Sequence, residues 1–269
     1  MADLMTSSRA AIAARVVIVL LAMATWVVST VRRNVAYVDR MWSLFFIAAA
    51  LVYAAETAVP GPRTPWLLAL VTAWGLRLSA HITWRGWGHE EDRRYQAIRS
   101  RNQPHFALKS LLIVFGLQAL LAWLVSAPLL AGIASRRSLN GLDAAGIALC
   151  TFGIAFEALA DGQLVRFQRD ASTMGAVMDQ GLWRYSRHPN YFGECCTWWG
   201  FFLIALAAGG AAWTIVSPLI MTVLLLKVSG VALLEKDIGE RRPGYRDYMR
   251  STNAFFPGPR KNPPKEYPP

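Results

Sequence analysis

Charge is scarce in this chain: Asp, Glu, Lys and Arg make up 17% of its 269 residues, against about 25% in an average soluble domain. The deficit is filled by apolar residues, 54% of the total. They collect in long runs and give a mean hydropathy of +0.30. That pattern excludes an ordinary soluble fold and predicts an all-α integral membrane protein. Cysteine is nearly missing, with only Cys150, Cys195 and Cys196. Adjacent Cys195 and Cys196 are poorly placed to bond each other, and no pair has metal-ligand spacing. The three read as small apolar helix-packing residues. Internal repeats and low-complexity segments are absent too, leaving no room for a separate soluble domain.

Acidic residues are also few, 17 against 28 Lys and Arg, for a net charge of +11. A nucleic-acid partner would explain that excess only if the bases formed one patch. Instead they fall between apolar runs and in the tail, so no nucleic-acid partner is expected. Candidate spans cover 11–31, 41–59, 65–84, 108–132, 142–165, 193–209 and 211–234, a polytopic membrane helix bundle of about seven transmembrane helices. The first reads as a retained span, not a removed signal peptide. Arg32, Arg33 and Arg40 follow the first span; Arg85, Arg93, Arg94, Arg99, Arg101 and Lys109 follow the third. Arg166, Arg169, Arg184 and Arg187 follow the fifth, while the alternate segments hold only Arg63, Arg136 and Arg137. Positive residues concentrate in cytoplasmic loops. The alternation predicts an N-terminus outside and a C-terminus in the cytoplasm. Residues 1–256 read as one integral membrane domain and 257–269 as a flexible Pro-rich tail.

Polar residues within spans are costly and mark function or pairing. Arg77, His81 and Arg85 recur every four residues, so they share one helix face. The loop His89-Glu90-Glu91-Asp92 lacks the i, i+4 histidines of a helical zinc site, and no metal is expected. Glu157 and Asp161 share a face of the fifth span, where Asp161 serves either a ligand or an ion pair with a third-span arginine. Lys227 in the last span calls for a carboxylate or a ligand phosphate.

The densest polar stretch runs from Leu182 to Gly200. Pro189 suits a first helical turn, so the sixth span begins near it with its amides facing the cytoplasm. Helix N-termini favour anions, and arginine offers bidentate phosphate contacts. Arg184 and Arg187 suit phosphates or lipid headgroups, whereas Asn190 and Glu194 suit ribose hydroxyls or an amide. The combination points to a nucleotide-like cofactor.

The motif Gly181-Leu-Trp-Arg-Tyr-Ser-Arg-His-Pro-Asn-Tyr-Phe-Gly-Glu194 is followed by Leu233-Leu-Glu-Lys236, Arg242-Pro-Gly-Tyr245, Tyr248 and Phe256-Pro257. Together these resemble the steroid 5-alpha-reductase C-terminal superfamily, and more closely its bacterial branch, the DUF1295 proteins. The resemblance implies NADPH bound by the C-terminal half, 142–256, near the cytoplasmic face. It also implies a lipophilic substrate entering from the bilayer among membrane lipids and meeting the substrate-side helices of 1–132. By position it lends the cofactor Asp161, Asn190 and Glu194, with Arg77 and Arg85 from the third span and its loop. Gln163, Arg166, Arg187, His188, Tyr191, Tyr245 and Tyr248 complete that set. A bacterial inner membrane, with the active site facing the cytoplasm, follows from the same branch.

The chain departs from the steroid reductases where they use a glutamate and a third-span tyrosine on the substrate ketone. Trp74 stands three residues before Arg77, and no N-terminal glutamate matches. Asp39 is a candidate replacement acid, and His81 or Tyr95 a candidate proton donor. The expected reaction is NADPH-dependent reduction of an activated, enone-type C=C bond in a steroid-like or other lipophilic substrate, an oxidoreductase acting on CH–CH groups. Isoprenylcysteine carboxyl methyltransferases, which use S-adenosylmethionine, share the Arg-His-Pro-x-Tyr pattern. They typically show paired glutamates where this chain has Glu235-Lys236. A non-enzymatic lipid-binding protein is the third reading.

Overall fold

The computed structural model describes residues 2–88, 90–228, 230–235, 238 and 244–261, and the side chains of all of these except 2–6, 233 and 234. His89, Lys236, Arg242 and the tail beyond 261, all singled out above, lie outside the described residues. Every regular element among the described residues is helical, as expected. We number them α1 (Ala2–Arg32), α2 (Tyr37–Glu56), α3 (Thr64–Arg85) and α4 (Arg93–Arg101). There follow α5 (Phe106–Ala134), α6 (Gly141–Arg169), α7 (Pro189–Ala207) and α8 (Ala212–Val228). Two short helices, α9 (Val231–Glu235) and α10 (Gly244–Ser251), come last.

Among the described residues Ser7–Arg32, Tyr37–Glu56, Phe106–Ala134 and Gly141–Arg169 are long and apolar enough to cross a membrane, four where the apolar runs predict about seven. The shortfall has local causes. Helix α3 has 22 residues, but Arg77, His81 and Arg85 dilute its apolar character. Helix α7 has 19 and spends its first turns on Asn190 and Glu194. The last expected span, 211–234, is interrupted. A π-helical turn over Leu224–Val228 ends α8, and Gly230 then brings its backbone so close to the Leu225 carbonyl that a Cβ there would sit 1.9 Å from that oxygen. Lys227 lies in this turn and is exposed.

The chain divides into two compact units, 1–147 with 201–217, and 148–200 with 218–269. In the first, α1 buries Ala10, Ala14, Ile18 and Ala22 and exposes Ile12, Val16 and Leu20. The four-residue spacing sets one narrow face against α2, and the rest of the helix suits lipid. Helices α2 and α3 meet closely at Gly75, whose carbonyl accepts from Ser43 Oγ at 2.8 Å. Arg63, the residue before α3, is wholly buried. Its guanidinium donates to both Asp143 oxygens at 2.7 and 2.8 Å and to the carbonyls of Arg137, Ser138 and Ala207. It is therefore a structural clamp, not the loop charge that the topology argument counts.

In the second unit α6 and α7 cross at two glycines. A Cβ on Gly153 would lie 2.5 Å from the Gly193 carbonyl oxygen, and one on Gly193 would lie 2.7 Å from the Gly153 carbonyl oxygen. Such backbone proximity is how membrane helices associate without a hydrophobic driving force. The segment 244–258 clasps the approach to α7. Arg187 N donates to Asn253 O, Gly258 N to Tyr185 O and Ser186 Oγ to Phe255 O. Tyr248 reaches across with its hydroxyl on the Trp183 carbonyl at 2.5 Å.

Candidate functional site

The motif residues of the second unit stand where α7 begins. Asp161, His188 and Glu194 are buried, as is Glu157 one turn before Asp161. Asn190 Nδ2 donates to Asp161 Oδ1 at 3.2 Å, which brings together two of the residues that the resemblance lends to the cofactor. The partner atom of the same amide, Asn190 Oδ1, is buried and accepts no hydrogen bond from the described residues. A buried carbonyl oxygen left so costs about 1–3 kcal/mol, and a ligand N–H would recover it.

The remaining motif residues divide into exposed and engaged ones. Arg166 is exposed on the last turns of α6. Gln163 Oε1 accepts from Leu182 N at 2.9 Å, where Gly181 turns with a φ of +56° tight against the Gln163 side chain. Arg187 gives Nε and Nη2 to the two oxygens of Glu235 at 2.7 and 2.8 Å, and Nη1 to the carbonyls of Met249 and Thr252. His188 Nε2 lies 2.9 Å from Glu235 Oε1. The His188 ring stacks on Tyr191 at 5.5 Å between centroids. Burial opposes the Glu235 charge, but the hydrogen bonds from His188 and Arg187, with the Arg187 charge, outweigh it and hold the carboxyl down at about 2. Tyr245 and Tyr248 are buried edge-to-face, 5.3 Å apart. Burial, then the Glu235 charge, pushes Tyr245 up to about 12, and burial raises Tyr248 further. Glu235 is thus the anchor of the motif. In the sequence Glu235 stands in the Leu233-Leu-Glu-Lys236 motif and in the contrast with paired glutamates, without an assigned role; its signal is an acid ending an apolar run downstream of Arg-His.

In the first unit, Asp39 opens α2 and Tyr95 lies on α4. Tyr95 donates to Asp39 Oδ1 at 2.5 Å, and Arg94 Nη2 donates to Asp39 Oδ2 at 3.0 Å. Burial, then the adjacent Asp39 charge, holds the Tyr95 phenol well above its usual range. Arg94 also holds Asp92, which caps α4. Asp92 is only half-buried; its partial desolvation would raise its pKa, but Arg94's hydrogen bonds and charge keep it below its ordinary value. Arg77 and His81 are half-buried along α3, and Arg85 at its end is exposed. Of the three candidate catalytic residues the fold unites Asp39 and Tyr95.

Fold and site together define an all-α protein with membrane-crossing helices and a polar cradle at the start of one buried helix. The chain belongs to the DUF1295 family, described as proteins of unknown function, which it matches over residues 25–252. It is similar to an uncharacterized protein of Schizosaccharomyces pombe, 27% identical over 262 residues that cover 86% of this chain and 75% of that protein. No solved structure matches.

Proposed function

We propose that this protein is an NADPH-dependent membrane reductase of an activated C=C bond in a lipophilic substrate, as in the steroid 5-alpha-reductase superfamily. The observation that carries the reading is the buried, open acceptor of Asn190 beside Asp161 on the first turn of α7. Those residues fit a nucleotide of this kind. Asn190 Oδ1 would accept from an amide, Asp161 and Glu194 would take amide or hydroxyl hydrogens, and the α7 N-terminus would favour phosphate. Arg77 and Arg85 join the set through the resemblance alone. Bound NADPH supplies a hydride to the carbon β to a carbonyl.

The chain's own part is to hold that group and manage the proton. Arg187 and His188, both engaged by Glu235, position the start of α7. Tyr95 keeps a proton on Oη, and Asp39 orients it; an acid so placed can stabilise a developing enolate. His81 is the alternative donor. In this reading α3, α7 and α8 complete the seven spans. The N-terminus lies outside and the C-terminus inside the bacterial inner membrane, and the site opens to the cytoplasm.

Binding to the full chain in detergent tests the proposal. NADPH should bind, and Asn190→Ala and Glu194→Ala should each weaken it by about tenfold or more at unchanged melting temperature. Tight S-adenosylmethionine binding without NADPH binding would instead make the protein a methyltransferase. Binding neither would favour a non-enzymatic lipid-binding protein.

A further inference from the structure

Within the first unit the end of α1, the end of α4 and the start of α5 are tied into one knot. Trp26 Nε1 donates to the Ala107 carbonyl at 2.7 Å, and Arg99 Nη2 donates to the Arg33 carbonyl at 3.4 Å. The Arg99 guanidinium also stacks 4.6 Å from the Phe106 ring. Around this knot Arg32, Arg33, Arg101, His105 and Lys109 are exposed, and their side chains make no hydrogen bond or ion pair with the described residues. We propose that these five residues form a docking surface for anionic phospholipid.

No acid neutralises the cluster from its own segments. Asp and Glu are absent between Asp3 and Asp39 and again between Asp92 and Asp143. Glu91, which the knot does hold, is spent: Arg99 donates to its two oxygens at 2.7 and 2.9 Å, and the Val35 amide donates to one of them. Local stability accounts for only part of the cluster. Arg32 and Arg101 end α1 and α4, where the helix dipole favours a cation, but His105 and Lys109 stand at the start of α5, where it opposes one. Arg33 and His105 are also the two non-glycine residues with left-handed backbone among the described ones, at φ of +51° and +64°. Glycine adopts that conformation more cheaply. An anionic partner supplies the use for these cations that the helices do not.

The neighbouring side chains say which anion. Val31, Leu108 and Leu112 are 76%, 64% and 75% exposed, so apolar surface adjoins the cations on both α1 and α5. Ser7–Arg32 and Phe106–Ala134 are each long and apolar enough to cross a membrane, which sets the end of one and the start of the other at headgroup depth. Cations there meet lipid phosphates while the aliphatic residues beside them meet acyl chains. A nucleic acid would use the charges and leave the aliphatics in water. None of the five belongs to the cofactor or proton-donor set, so the surface stands whether or not the reductase reading does.

The full chain would be compared with an Arg32→Gln/Arg33→Gly/Lys109→Gln variant and with an equal-charge control, Arg136→Gln/Arg246→Gln/Lys261→Gln, whose three residues are exposed elsewhere. Native mass spectrometry measures retention of phosphatidylglycerol against phosphatidylcholine. Wild type should prefer phosphatidylglycerol, and that preference should fall about tenfold or more in the first variant but not in the control. Arg33→Gly alone guards against misfolding, since glycine suits the left-handed position: it should melt no lower than wild type and still lose part of the preference. NADPH binding, measured in parallel, should be the same in all four proteins. Equal loss in the variant and the control would show that retention follows net charge alone, and would overturn the proposal. No preference in wild type would do the same, as would tight binding of a single-stranded RNA oligomer in place of phosphatidylglycerol.

Discussion

Arg187 and Glu235 face each other as a bidentate pair at 2.7 and 2.8 Å, with their side chains 9% and 12% exposed. Their partnership ties a residue two positions before α7 to the end of α9, 48 positions later in the chain. With His188 on the same carboxylate, this joint anchors the chain immediately before the first turn of α7.

The joint predicts acid sensitivity. Glu235 is held near 2 in the folded state against an ordinary value of 4.5. A carboxyl with a depressed folded pKa stabilises above its unfolded value and loses that contribution as pH falls through the folded one. The loss should therefore run between about 4.5 and about 2. Glu235→Gln should cost about 3 kcal/mol at neutral pH, because the buried Arg187 charge loses its partner. Melting temperatures followed in detergent should converge for the two proteins towards pH 2. A constant gap across that range would show that the pair does not carry the effect.

The crossing of α6 and α7 predicts intolerance of one methyl group. Gly153→Ala would place a Cβ 2.5 Å from the Gly193 carbonyl oxygen and equally close to the Thr197 hydroxyl. Backbone cannot step aside as a side-chain tip can, so the loss should be at least 1–3 kcal/mol, as in overpacked cores. Gly162→Ala, on the same helix with nothing within 4 Å, should be neutral or gain up to about 1 kcal/mol of helix propensity. Thermal melting of the two variants side by side checks this, and equal behaviour would refute the close crossing.

Helices α1, α2, α5 and α6 were legible because a membrane span is long, apolar and local. Asp161 and Asn190 were each legible because a carboxylate and an amide are expensive beside such runs, while their contact with one another was not. What stayed hidden depends on partners distant in the chain. Arg63 looked like a loop charge because only folding brings Asp143 and the Ala207 carbonyl around it. The Glu235 partnership of Arg187 was hidden in the same way, because arginine reads the same beside a phosphate as beside a carboxylate. The break at Gly230 was hidden too, since hydropathy continues through it while the backbone does not.

Tyr95 predicts behaviour at the opposite end of the pH scale. Its phenol is held above the usual value of 10.0 by burial and by Asp39, so the folded protein keeps a proton that the unfolded chain releases. A raised folded pKa gives stability that is complete below the unfolded value and is lost as pH rises beyond it. Wild type should therefore lose stability above about pH 10. Tyr95→Phe should flatten that alkaline limb in part, because Tyr245 and Tyr248 are also raised and contribute to it. At neutral pH the variant should be less stable by about 1.5–3 kcal/mol, the worth of a hydrogen bond to a charged group. Asp39→Asn distinguishes the two contributions, because it removes the charge that helps hold the phenol up while keeping an acceptor. An alkaline limb in Tyr95→Phe as steep as that of wild type would mean that Tyr95 ionises freely, and it would remove Tyr95 as the residue that holds the proton.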